Sequence, residues 1–234
     1  MMEGFQVKSI KHQDCREWIL YKHYAKRIPQ IVFAFGLFEG EQIVGVCTFG
    51  FPPTIFFNKF FKDIKTIELN RLVVNDGLPK NALSFFVSKC LKKIPRMVVV
   101  SYADPNQNHV GYIYQSTNWI YTGKGRKNTK DKRGVNKYFY KQKEYHERHL
   151  NKTMKRLNFF IDNSKTQNQN WISNGGEVLK QKRKHRYFFI TGNKSTKKKY
   201  KKILIEYYGV LKYPKGDNKR YDASYKPSTQ IELF

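Results

Sequence analysis

Between residues 66 and 102 the hydrophobic period changes twice, and this constrains the fold more than any other feature. Thr66–Val74 (TIELNRLVV) reads as a strand ending at Asn75-Asp76-Gly77. After Pro79, residues Leu83, Phe86, Val87, Cys90 and Leu91 recur at the spacing of one face of an amphipathic helix. Met97–Tyr102 then returns to an apolar strand. A helix crossing between two strands implies a mixed sheet covered by helices. The flanks extend the pattern, with strands expected at Ile31–Phe38 and Gln42–Phe51 around a Glu39-Gly40-Glu41 turn, and an extended segment at Trp119–Tyr121. Upstream, Asp14 and Glu17 predict a capped helix through Trp18, Ile19 and Lys22, stopped by Pro29. The expected class is α/β (α+β).

Charge divides the chain. The 234 residues carry 45 Lys+Arg against 18 Asp+Glu, a formal net charge of +27. Residues 1–120 hold 15 basic and 9 acidic side chains, whereas residues 121–234 hold 30 and 9. The expected organisation is therefore a compact α/β core over residues 1–123 and a strongly basic portion over 124–234. The second portion also completes the core sheet with a strand near 185–192, so both belong to one structural unit. Such self-repulsion calls for an anionic partner, and nucleic acid fits better than a membrane. No stretch approaches the ~20 apolar residues of a membrane helix, and the N-terminus has no secretory apolar region. Cys15, Cys47 and Cys90 are odd in number and widely spaced, as expected of buried thiols in a reducing cytoplasm.

In the basic half, residues 123–134 read as a flexible loop, Tyr138–Arg156 as a helix and 161–176 as a connector. His185–Gly192 reads as a strand, and Lys194–Lys202 as a charge run leading into a short element ending at Tyr208. The tail around 213–216 reads as irregular. Cations interleaved with aromatics suit phosphates and unstacked bases. The DNA-binding candidates are Lys124, Arg126, Lys127, Lys132, Arg133, Lys182, Arg183, Lys184 and Arg186, with Trp119 and Tyr121.

Three groups carry chemistry. His23-Tyr24, followed by Lys26 and Arg27, suits a general base, a metal ligand or an anion clamp; equally, it is a helix end that complements its dipole. Glu68, Asn70 and Arg71 lie in a strand, with Glu68 placed as a proton acceptor or as half of an internal ion pair. Asp104, His109 and Tyr114 form an oxygen–nitrogen set suited to iron or another divalent transition metal, with His23 a further ligand candidate. The ordinary reading is helix capping by Asp104 beside a surface histidine. Asn106, Gln107, Asn108 and Asn118 look too numerous for scaffold.

The strand–helix order is that of an N-acetyltransferase-like (GNAT) fold. The runs HYAKRIP (23–29), GVCTFGFPP (45–53), ELNRLVVNDGLPKNALSFFVSK (68–89), SYADPNQNHVGYIYQSTNWIYTG (101–123), KHRYFFITG (184–192) and YPKG (213–216) resemble the Mom family of phage DNA-modification proteins. The resemblance implies a GNAT-related enzyme that adds a carbamoylmethyl group to adenine N6 in double-stranded DNA and protects phage DNA from restriction. It implies work in the host cytoplasm, with iron associated with the active site. His23, Tyr24, Glu68, Asn70, Arg71, Asp104, His109 and Tyr114 become cleft residues. The cofactor turn reads VVNDGLPKNALS, with Gly77, Lys80 and Asn81 as its anion-binding candidates. It lacks the glycine-rich loop of acetyltransferases, which disfavours acetyl-CoA as donor. A flipped adenine is expected to stack on Tyr114, Trp119 or Tyr121. A two-fold dimer would suit duplex DNA. The alternatives are a conventional GNAT N-acyltransferase acting on a protein or small-molecule amine, and an inactive DNA-binding protein.

Overall fold

The computed structural model describes residues 2–53, 56–124, 135–145 and 147–216, without the side chains of residues 58, 59 and 148. The elements in chain order are β1 (Phe5–Ser9), β2 (Phe33–Glu39), β3 (Gln42–Gly50), α1 (Phe56–Phe61), β4 (Thr66–Val74), α2 (Ala82–Lys93), β5 (Val98–Ala103), α3 (Tyr112–Ser116) and β6 (Ile120–Lys124). They continue with β7 (Val135–Tyr140), β8 (Lys143–Tyr145), α4 (Leu150–Arg156), α5 (Gln167–Ser173), β9 (Glu177–Gln181), β10 (His185–Ile190) and α6 (Lys194–Tyr208). The class is the mixed α/β one expected. Contacts gather the chain into two compact units, residues 1–127 with 184–234, and residues 128–183.

The larger unit is built on a seven-stranded sheet in the order β1-β2-β3-β4-β5-β10-β6. Only β4 and β5 run parallel, joined by α2, while every other neighbouring pair is antiparallel. One face buries Phe49, Ile67, Leu69, Val99 and Trp119 beneath Phe86, Val87 and Cys90 of α2. The other packs Val98, Val100 and Phe188 against Phe57 and Phe61 of α1 and Tyr200 and Leu204 of α6. Full burial of side chains of this size contributes about 1.5–3 kcal/mol each. Cys15, Cys47 and Cys90 are buried free thiols.

β4 and β5 pair only over Thr66↔Val98, Ile67↔Val99 and Glu68↔Val100. Beyond Glu68 they lose the ladder, and side chains take over the backbone groups that it leaves. Ser101 Oγ lies 2.8 Å from the Leu69 carbonyl oxygen and 2.7 Å from Tyr114 Oη. A carbonyl only accepts, so Ser101 donates to it and the Tyr114 phenol donates to Ser101.

The smaller unit has its own sheet, β8-β7-β9, and its own core of Tyr138, Leu150, Met154 and Trp171. The Trp171 indole N–H lies 3.1 Å from the Phe139 carbonyl oxygen and 3.2 Å from that of Glu177, tying β7 to β9.

Several elements depart from the sequence reading. The helix expected over Tyr138–Arg156 is a hairpin followed by a shorter helix. Tyr138 and Tyr140 both meet Trp171, so the apolar period there is two. The turn is made by Lys141 and Gln142, both at positive φ without a glycine to signal it. The connector at 161–176 contains α5, started by Thr166, whose hydroxyl accepts from the Gln169 amide. The run at 194–202 is itself the first part of the 15-residue α6. Near the N-terminus, β1 precedes the first helical turn. Asp14 lies inside that turn and accepts from the Lys11 N–H, and Trp18–Lys22 is a π-helical turn.

Candidate functional site

The opening between β4 and β5 leads into a cavity of about 520 Å³. His23, Tyr24, Glu68, Asn70, Arg71, Asp104, His109 and Tyr114 all line it, with Lys80 and Asn81 on the α2 side. Eighty residues after Asp104, Lys184 joins them. Gly77 sits in the turn at positive φ, outside the lining residues.

A bulge sets the geometry of β4. Thr48 pairs with Arg71 and Phe49 with Leu69, so Asn70 has no partner of its own. The alternation shifts by one at that point. Ile67 and Leu69 face the α2 core, and so do Leu72 and Val74. Glu68 and Arg71, which strict alternation would place on opposite faces, therefore share the other one. Asn70 is held by both ends of its amide, with Oδ1 accepting from Thr48 Oγ1 at 2.7 Å and Nδ2 donating to the Gln30 carbonyl at 3.0 Å. Gly50 permits the approach, because a Cβ there would lie 1.8 Å from the Gln30 oxygen and 2.6 Å from Asn70 Nδ2. The Arg71 guanidinium donates to the carbonyls of Arg27 and Asn70.

The two carboxyls are tuned in opposite directions. Burial pushes the Glu68 carboxyl up to about 7, against the pull of Lys184 and Arg71. Burial also acts to raise Asp104, but the Lys184 charge and the Asn106 donors hold it below its ordinary value. Lys184 Nζ lies 3.2 Å from Asp104 Oδ2, and Oδ1 accepts from the Asn106 backbone and side-chain amides at 3.0 and 2.8 Å. Tyr24 is raised to about 12 by burial, then by the Asp104 charge. Its ring stacks on His23 with centroids 4.4 Å apart and faces His109 at 6.1 Å.

His23 is buried, and that burial, with Arg71, His109 and Lys184 nearby, lowers its pKa to about 3. Nδ1 accepts from the Ala25 N–H at 3.0 Å, so the neutral ring carries its proton on Nε2 and has no free lone pair in the ring plane. Asp104 is likewise committed through both oxygens. Among the described residues no cluster of three or more His, Cys, Asp or Glu side chains is spaced to hold a metal. His23, Asp104 and His109, the expected metal ligands, line the same cavity without forming such a cluster.

Other candidates are also relocated. Trp119 is 1% exposed and wedged between Tyr114 and Phe189. Tyr121 is buried with its hydroxyl 2.7 Å from His185 Nδ1. Neither offers a face to a base. Arg186 is 5% exposed, lies 4.1 Å from the Tyr208 ring centroid and donates to Thr122 Oγ1, which makes it an internal brace. Lys124 and Lys182 are exposed and Arg183 is half-buried. Arg126, Lys127, Lys132 and Arg133 lie outside the described residues, as does most of the basic loop. The asparagines have a conformational cause, since Asn108 and Asn118 occupy the left-handed region and Asn106 donates to Asp104, the N-cap of its turn. Ser101 and the placement of Lys184 escaped the sequence reading. Lys184 directly precedes β10, whose His185 pairs with Ala103, and only that register reveals its position beside Asp104.

No helix among the described residues is long and apolar enough to cross a membrane. The methylcarbamoylase Mom of Escherichia phage Mu is 29% identical over 128 residues, which are 50% of this chain and 53% of that protein. The chain thus spans about half the length of this curated relative. The family comparison reaches much further, from residue 4 to residue 215, and on that match the chain belongs to the Mom protein family.

Proposed function

We propose that this chain is a phage-type DNA-modifying enzyme that adds a carbamoylmethyl group to the N6 amine of adenine in duplex DNA, and so protects that DNA from restriction. The observation that carries the reading is a pair of carboxyls tuned apart in one cavity. Family membership and the methylcarbamoylase of phage Mu, to which the chain is similar, support it.

The N6 amine is weakly nucleophilic because its lone pair is delocalised into the ring. Forming a bond from N6 to an sp³ carbon requires loss of an N6 proton and cleavage of that carbon's bond to the rest of the donor, which leaves with the electron pair. Glu68, with a pKa near 7, is half-ionised at neutral pH and accepts that proton. Asp104 remains ionised, and Lys184 and Arg71 supply fixed positive charge beside the reacting atoms. The base reaches them only when extruded from the duplex. The stacked rings of His23 and Tyr24 at the cavity wall, with Tyr114 beside them, provide the stacking surface that the buried Trp119 and Tyr121 do not offer. Lys80, Asn81 and the first-turn amides of α2, a helix with no acidic residue in that turn, suit an anionic part of the donor. The parted β4 and β5 beside a helix N-terminus support a relation to N-acetyltransferases.

Nucleoside mass spectrometry on DNA from cells expressing the protein tests this. The expected product is a deoxyadenosine bearing one carbamoylmethyl group, absent with the Glu68→Gln variant. Unmodified DNA from folded wild-type protein in a host of the phage relative would overturn the reading.

A further inference from the structure

α6 carries a feature that the cavity does not use. Lys194, Lys197, Lys198, Lys201 and Lys202 recur at i, i+3, i+4, i+7 and i+8, and all five are exposed. That spacing lays them along one face. Thr196, Tyr200 and Leu204, the buried residues of α6, form the opposite stripe, with Tyr200 and Leu204 anchored in the core beneath the sheet. The ridge spans about 12 Å at 1.5 Å per residue, roughly three to four phosphates of one strand at 3.4 Å axial rise.

The ridge is electrostatically unfavourable in isolation. Lysines three and four apart on a helix repel one another, and the N-terminal end of a helix disfavours cations. The first turn of α6 contains no acidic residue to offset this, and the cap is the neutral Asn193, whose side chain accepts from the Thr196 amide at 2.9 Å. Lys202 reaches Glu206 only at 3.8 Å, while Lys194, Lys197, Lys198 and Lys201 form no ion pair among the described residues. Lys199, off the ridge, is the one paired with Asp63, at 3.2 Å.

We propose that this lysine face of α6 is a docking ridge for the phosphate backbone of duplex DNA. The inference rests on the proposed DNA substrate and adds the surface that holds it. Contacts of this kind position the duplex without reading its sequence. Each lysine that neutralises a phosphate releases counterions and steepens the salt dependence of binding.

The test is fluorescence anisotropy of a labelled duplex oligonucleotide, titrated with full-length protein across a salt series. The variant replaces Lys194, Lys197, Lys198 and Lys201 with Gln. Its control removes the same charge elsewhere, through Gln at the exposed Lys65, Lys89, Lys92 and Lys93. The expected result is a slope of log affinity against log salt reduced by about 3 in the α6 variant and nearly unchanged in the control. Its melting temperature should be equal to or above wild type, because repulsion has been removed. Equal losses in both variants, or no loss in either, would overturn the ridge while leaving DNA binding intact. Wild-type protein that fails to bind duplex at low salt would overturn the DNA reading as well. Tighter binding to anionic lipid vesicles than to duplex would overturn the proposed partner.

Discussion

Lys184 Nζ sits 3.2 Å from Asp104 Oδ2 because the two residues extend the antiparallel pairing of His185 with Ala103 by one step. A lysine that charge composition assigns to a DNA-facing surface is thereby delivered to the cavity. Its charge acts on Asp104, Glu68 and His23 alike. Replacing Lys184 by Met should raise the pKa of Asp104 and of Glu68 together. DNA modification should fall at least tenfold, with a small change in melting temperature since the lysine is half exposed. Side-chain carboxyl NMR titration of wild type and variant checks the paired shift, and an unmoved Asp104 would remove Lys184 from the site.

The Glu68 carboxyl is raised to about 7 from an ordinary value of 4.5. The folded state then holds a proton between those values that the unfolded chain has lost, so its contribution to stability declines as pH rises from 4.5 through 7. Glu68→Gln abolishes that decline. The variant should be inactive yet more stable than wild type at pH 8, by up to about 3 kcal/mol, and should match it near pH 4.5. Thermal melts at the two pH values decide the matter. The wild-type rate should climb with a midpoint near pH 7 as the base ionises.

His23 works in the opposite sense. Its folded pKa of about 3 lies below the ordinary 6.5, so the unfolded chain binds a proton first and stability is lost as pH falls below 6.5. His23→Phe keeps a ring against Tyr24 but leaves the Ala25 N–H without its acceptor, a cost of about 1–3 kcal/mol at pH 7. That deficit should narrow between pH 6.5 and 4, because only wild type loses stability there. Urea denaturation at pH 7 and pH 5 measures the gap, and a constant difference would mean that His23 titrates alike in the folded and unfolded chain.

Gly50→Ala tests the bulge. The added methyl meets the Gln30 carbonyl and the Asn70 amide, so one of them must move. Destabilisation of about 2–3 kcal/mol is expected, or roughly 5–10 °C in melting temperature for a chain of this size. Modification should fall further than stability alone explains, because Glu68 and Arg71 lose their shared face. A variant with full activity at 20 °C would show that the bulge is dispensable.

The larger sheet and its crossing helix were legible because two apolar runs, β4 and β5, flank the clear helical period of α2. The residue types of the site were legible too, since Glu68, Arg71 and Asp104 stand in otherwise apolar stretches. Their relative placement was not. An extra residue in β4 leaves no mark in composition, yet it decides whether Glu68 faces Arg71. Trp119 and Tyr121 misled because an aromatic beside basic residues reads as a stacking surface, whereas tertiary packing put both in the core. The hairpin at Lys141-Gln142 was hidden for a conformational reason, as its left-handed turn uses neither glycine nor asparagine.

In sequence, the smaller unit is an insertion within the larger one. Lys124, at the end of β6, is the Cα partner of His185, at the start of β10, and residues 128–183 are strung between them. Two neighbouring strand ends are what a plain hairpin needs, so the sheet has no architectural requirement for what is inserted there. Every described residue lining the cavity lies outside the insertion. A change in the length of residues 128–183 therefore leaves the β6–β10 pairing and the cavity residues in place.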